Sequence, residues 1–185
     1  EAAMYAINEN KFGKKFYHLG PPRDNSIFEK VKDSRTNIEN SDFILCTGLL
    51  DDYGQDLEYY KKFLKKYISK KLICTNPDLT VHRGDQEEYC AGYIAKIFEQ
   101  LGGKVIYYGK PHEEIYKMCF NYNEKVLAIG DNLRTDIKGA NNINKDCLFI
   151  AEGVHRNEFK DETEIQNLLT KYNVKANYYQ KELLW

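Results

Sequence analysis

Gly130-Asp131-Asn132-Leu133-Arg134-Thr135-Asp136-Ile137 sets two carboxylates five residues apart behind a glycine, directly after the apolar run Val126-Leu127-Ala128-Ile129. A buried strand would deliver Asp131 at its tip, where glycine lets the backbone turn tightly. Asp136 then falls in the first turn of the next helix, so both carboxylates can converge on one point. Mg²⁺ takes a few hard oxygen ligands and keeps several waters, so one or two carboxylates and a phosphate oxygen suffice. A plainer use of the same residues stands beside this one: Asp131 or Asn132 caps the helix, and Asp136 sits favourably near its positive end. Gly109-Lys110-Pro111 closes the preceding apolar run. A lysine at a strand tip supplies a fixed positive charge next to a phosphate. Alone, a lysine before proline is ordinary surface. In order with Asp131 and Asp136 on successive strands, it makes an acid–lysine–metal set suited to phosphoryl transfer.

Short apolar runs alternating with helical patterns must position these groups. Phe16-Tyr17-His18-Leu19 stops at Gly20-Pro21-Pro22, and Phe43-Ile44-Leu45-Cys46 stops at Thr47-Gly48. Between residues 57 and 68 the apolar positions fall on one helix face. Lys71-Leu72-Ile73-Cys74-Thr75 is closed by Asn76-Pro77-Asp78, and a second amphipathic helix runs to Gly102-Gly103. Val105-Ile106-Tyr107-Tyr108, Val126-Leu127-Ala128-Ile129 and Cys147-Leu148-Phe149-Ile150 are further strands. The pattern predicts an α/β fold with a largely parallel sheet, its ligands beyond the strands' carboxyl ends.

Composition excludes several classes. The 185 residues carry 27 basic and 28 acidic side chains, for a net charge of −1. Acidic residues surround most of the lysine clusters, so no nucleic-acid partner is expected. No run reaches the length of a membrane span, so no membrane partner is expected. The five cysteines form no C-x-x-C pair, and four sit in apolar segments, which points to small buried hydrophobes in a reducing cytoplasm. The chain opens Glu1-Ala2-Ala3-Met4 with no basic-then-apolar leader, and a start at Glu suggests that something upstream is missing.

Gly109-Lys110-Pro111 followed by the octapeptide at 130–137 resembles motifs III and IV of the haloacid dehalogenase (HAD) superfamily. The nearest branch is subfamily IIA, NagD-like and pyridoxal-phosphate-phosphatase-like. Thr75-Asn76-Pro77-Asp78 resembles that branch's T-N-P-D cap segment, and Cys90-Ala91-Gly92 the start of the cap helix after it. The similarity covers nearly the whole chain. It implies a HAD-like Rossmannoid parallel sheet with an inserted α/β cap, and hydrolysis of a small phosphomonoester: a sugar phosphate, a nucleotide or a pyridoxal phosphate. Lys110 becomes the lysine that stabilises the phosphate and the aspartyl-phosphate intermediate. Asp131 becomes the direct Mg²⁺ ligand, and Asp136 the acid that orients a metal-bound water or Lys110. Asn76, Asp78, His82, Arg83 and Asn132 become the substrate-facing residues. The expected division is a partial core of 1–42 plus 109–185 and a cap of 43–108. The cap's helices at about 55–69 and 86–101 are expected on one face of the strands at 43–46, 72–75 and 105–108.

The departure from the family matters as much as the match. The family's chemistry begins with a D-x-D-G segment, whose first Asp is the nucleophile and second the general acid. No D-x-D stands anywhere in this chain, and Asp51-Asp52 comes too late in the order to replace it. By that order Glu1-Ala2 would fall just after the third core strand. The core is therefore expected to be incomplete and the chain inactive alone, with a second copy or an amino-terminal segment as its partner. The competing reading is a non-catalytic remnant, or one half of a split protein, acting as a binding module.

Overall fold

The computed structural model describes residues 4, 7, 8, 11–84, 86–121 and 123–184, the side chains of residues 82, 83 and 114 excepted. Glu1-Ala2 lie outside that set. The chain divides into two compact units, Glu1–Gly109 and Lys110–Trp185.

The first unit is a parallel sheet of β1 (Phe16–Leu19), β2 (Phe43–Cys46), β3 (Lys71–Cys74) and β6 (Lys104–Tyr107), hydrogen-bonded in that order. Successive side chains point to opposite faces of a strand, and here both faces are apolar. Leu19, Ile44, Cys46, Leu72 and Cys74 meet Tyr60 and Leu64 of α1 (Leu57–Lys65) and Ile94, Ala95 and Phe98 of α2 (Ala91–Gln100). The alternate residues Phe16, Phe43, Leu45 and Ile73 pack with Phe28, which sits in a run of 3₁₀ turns over Pro22–Ser34 interrupted at Val31. Asp56 starts α1 by accepting from the Glu58 and Tyr59 amides. Gly102, at φ +91°, ends α2.

Two expectations change here. The segment 1–42 was assigned with 109–185, but β1 pairs in register with β2, Phe16 opposite Phe43 and Leu19 opposite Cys46. The reason is packing: Phe16 and Leu19 fill opposite layers, both shared with the strands of the expected cap. The second helix begins at Ala91 rather than near 86, because Gln86–Tyr89 (β5) pairs antiparallel with Thr80–Arg83 (β4). Gly84 is at φ +61° between those two strands.

The second unit carries β7 (Leu127–Gly130), β8 (Asp146–Ile150) and β9 (Tyr178–Gln180), parallel and in that order. Its helices are α3 (Glu113–Lys117), α4 (Lys138–Asn142) and α5 (Ile165–Lys171), with a single π-helical turn over Leu133–Ile137. Leu133, Ile137, Ala140, Leu168 and Leu169 bury one sheet face through Cys147 and Phe149. The other face of β7 is open, with Leu127 and Ile129 at 45% and 47% exposure. Strands read alike as apolar runs therefore differ in burial. Phe149→Ala should cost about 3–5 kcal/mol of unfolding free energy. Ile129→Thr should stay within about 0.5 kcal/mol. Urea denaturation of both variants checks this, and equal costs would contradict the assignment of faces.

Candidate active site

The end of β7 turns through Gly130 into a loop whose Asn132, Leu133 and Arg134 amides each have their own acceptor. Asp136 folds back over Gly130, so a Cβ on that glycine would lie 2.3 Å from the Asp136 Cβ. One Asp136 oxygen accepts from the Asn132 amide at 3.1 Å, and the other takes the Lys110 ammonium. The Asn132 side chain accepts from the Arg134 amide at 2.9 Å and so caps the π turn. Asp136 and Ile137 donate back to the Asn132 carbonyl. Lys110 is half exposed while the Asp136 side chain is only 11% exposed, so the carboxylate is the fixed member of the pair.

Asp131 is held from a different direction. Its Oδ2 accepts from the Val154 amide at 3.0 Å, just past β8. A Cβ on Gly153 would lie 2.1 Å from that oxygen, so only glycine leaves room for the carboxylate. Two residues on, His155 is fully buried. Its Nε2 accepts from the Leu133 amide at 3.1 Å, and its Nδ1 meets Glu158 at 2.6 Å. Glu158 also takes Lys171 and the Tyr172 hydroxyl, and Tyr172 accepts from Arg134. Gly153, His155 and Glu158 were missed in the sequence. The one signal was their place just after an apolar strand, where α/β sheets concentrate function.

The structure thus gathers Lys110, Asp131, Asn132 and Asp136 around one strand end. The Asn132 Oδ1 holds the Arg134 amide, and the residue is 8% exposed. Asn76 and Asp78 belong to the other unit, beyond the end of β3. The Asn76 side chain accepts from the Asp78 amide, and the Asp78 carbonyl accepts from Gly92. A Cβ on Gly92 would lie 2.2 Å from the Pro77 carbonyl oxygen, which explains why glycine follows the T-N-P-D segment at this distance. Asn76 lines a cavity of about 590 Å³ together with Arg23, Asp24, Thr47, Asp51 and Glu88. His82 and Arg83 lie on β4; their side chains fall outside the described residues.

The donor set suits a hard cation. Asp131 Oδ1 accepts no hydrogen bond among the described residues, and Gly153 clears space for the carboxylate. Among the described residues no cluster of three or more His, Cys, Asp or Glu surrounds it. Asp131, with Asp136 on the same loop, could supply carboxylate oxygens to such a cation, whose other positions water and phosphate oxygens would fill.

Burial lowers the His155 pKa below its usual value, outweighing the opposing effect of Glu158, with Arg134 lowering it and Asp131 raising it further. Burial alone would raise the Glu158 pKa, but hydrogen bonds from Lys171, His155 and Tyr172 dominate and bring it to about 2. Both groups are favoured in their native states at neutral pH. The His155 contribution is present above the unfolded histidine value of about 6.5 and is lost as pH falls below it. The Glu158 contribution disappears only as pH falls from about 4.5 towards 2. Taking the pH from about 7.5 to about 5.5 should lower the urea midpoint of the protein, and lower it less in His155→Gln. Identical pH slopes would remove His155 as the source.

Residues 107–173, which include Lys110, the 130–137 loop and His155, match the HAD-hydrolase-like family model. The chain is 28% identical over 146 residues to ribonucleotide monophosphatase NagD of Escherichia coli K12, covering 77% of this chain and 56% of that protein. It thus spans little more than half the length of that curated relative. The crystal structure of a haloacid dehalogenase-like hydrolase from Brucella suis 1330 superposes with a TM-score of 0.81 at 28% identity, covering 99% of this chain and 70% of that one. The p-nitrophenyl phosphatase of Archaeoglobus fulgidus shares the fold at a TM-score of 0.70 and 17% identity, over 97% and 68% of the two chains. Taken with the lysine and the paired acids around the end of β7, these similarities support a NagD-like hydrolase of the HAD superfamily.

Proposed function

We propose that this chain supplies the metal-binding and phosphate-binding half of a Mg²⁺-dependent hydrolase acting on a small phosphomonoester. The observation that carries this is the pairing of Lys110 with Asp136 at the tip of the strand that presents Asp131. Two relatives point to the same substrate class, one named a ribonucleotide monophosphatase and the other a p-nitrophenyl phosphatase.

In this reading Asp131 and Asp136 would hold Mg²⁺, which when bound would offset negative charge on the phosphate. Asp136 keeps the Lys110 ammonium aimed at the strand end, and the fixed charge costs no reorganisation when phosphate arrives. In the family that the chain resembles, a carboxylate of a D-x-D segment attacks phosphorus, and no D-x-D pair occurs in these 185 residues. Turnover by that route requires groups that this chain does not contain.

With Mg²⁺ present, the chain should bind inorganic phosphate, and Lys110→Met should weaken that binding by about tenfold or more, the loss of one charge-assisted contact. It should hydrolyse p-nitrophenyl phosphate no faster than Asp131→Ala. Absence of phosphate binding by the unaltered chain would contradict the proposed site. Mg²⁺-dependent turnover abolished in Asp131→Ala would contradict the assignment of the nucleophile elsewhere.

A further inference from the structure

We propose that His155, oriented by Glu158, is a positioning residue that sets the conformation of the 130–136 loop and so the presentation of Asp131. The proposal rests on the reading of that loop as the metal and phosphate site.

The argument starts from the loop's unpaired donors. At the start of a helical turn the first amides lack intrahelical partners. Here the Asn132 amide goes to Asp136 and the Arg134 amide to the Asn132 side chain. The Leu133 amide between them is buried, and its acceptor is His155 Nε2. A backbone amide can only donate, so Nε2 must carry a lone pair. The ring proton is then on Nδ1, where the Glu158 carboxylate accepts it at 2.6 Å. A doubly protonated ring would set one N–H against another at Leu133.

The ring is fixed on its other sides as well. Tyr172 meets it edge to face at 4.7 Å between centroids, and Phe149 of β8 packs at 6.4 Å. Glu158 is anchored by Lys171 and Tyr172, and Arg134 of the loop reaches back to the Tyr172 hydroxyl at 2.7 Å. The segment after β8 thus grips the loop at Asp131 through the Val154 amide and at Leu133 through His155. Both grips come from adjacent residues, so displacing the ring also shifts the amide that holds the Asp131 carboxylate. Such outer partners of metal-binding carboxylates govern affinity without touching the metal.

The test uses the full chain with His155→Phe, which keeps a buried ring but offers no acceptor, and His155→Gln, whose amide oxygen can take the place of Nε2. Glu158→Ala, which leaves the ring in place but frees it, is the third variant. Amide hydrogen exchange is read at Leu133, with Phe149 and Leu168 as controls. Mn²⁺ affinity is read by paramagnetic broadening of residues 130–136. In His155→Phe, Leu133 exchange should rise and Mn²⁺ affinity fall, each by about tenfold or more, with the controls unchanged. Glu158→Ala should shift both in the same direction, and His155→Gln should restore both. Unchanged Leu133 exchange in His155→Phe would overturn the proposal. So would equal loss of protection at Leu133, Phe149 and Leu168 in both His155→Phe and Glu158→Ala, which would mean general packing only. If the unaltered chain binds no Mn²⁺, the proposed function fails, and the exchange comparison still decides whether His155 sets the loop.

Discussion

A carboxylate that doubles back over a glycine organises the second unit. Asp136 can reach the Asn132 amide with one oxygen and the Lys110 ammonium with the other only because Gly130 has no side chain in its path. That return fixes the loop's direction, and the loop's direction decides where Asp131 points. Almost every neighbouring contact supports the same geometry. Asn132 caps the π turn, Gly153 leaves space for Asp131, and His155 takes the remaining buried amide. An unsatisfied buried donor or acceptor costs about 1–3 kcal/mol, so a loop with consecutive amides each assigned to its own acceptor has little freedom to adopt another path.

The acids and the lysine were legible in the sequence because their chemistry is local. Gly130, Asp131 and Asp136 lie within seven residues, and Lys110 closes the strand before them. The holding residues were not legible, since His155 and Glu158 act across a gap of more than twenty residues on groups that only folding brings near. Asn132 shows the reverse case. Its two readings, a helix cap and a substrate contact, both stood in the sequence, and folding shows the cap through its Oδ1.

The fold was legible to a similar depth. The α/β class and most strands follow from apolar runs ended by glycine, proline or asparagine. The affiliation of β1 did not follow, because a four-residue apolar strand pairs equally well with any parallel neighbour. What decides it is the match of Phe16 to Phe43 and Phe28 on one face and of Leu19 to the helices on the other. The Thr80–Arg83 and Gln86–Tyr89 hairpin was likewise hidden, since Gln86, Glu87 and Glu88 carry no apolar alternation and the pairing is made by the backbone. The two faces of β7 could not be told apart from composition either. Only the helices' choice of one side leaves Leu127 and Ile129 open.

The proposed function rests on Asp131, held by Val154 and given room by Gly153, as the point where a divalent cation meets this chain. Crystals of the chain soaked with Mn²⁺ test it most directly through anomalous scattering. The expected result is a peak within about 2.0–2.3 Å of the free Asp131 oxygen, the range of a hard-cation carboxylate bond, lost in Asp131→Ala. A peak elsewhere in the molecule, or none at any Mn²⁺ concentration, would contradict the account.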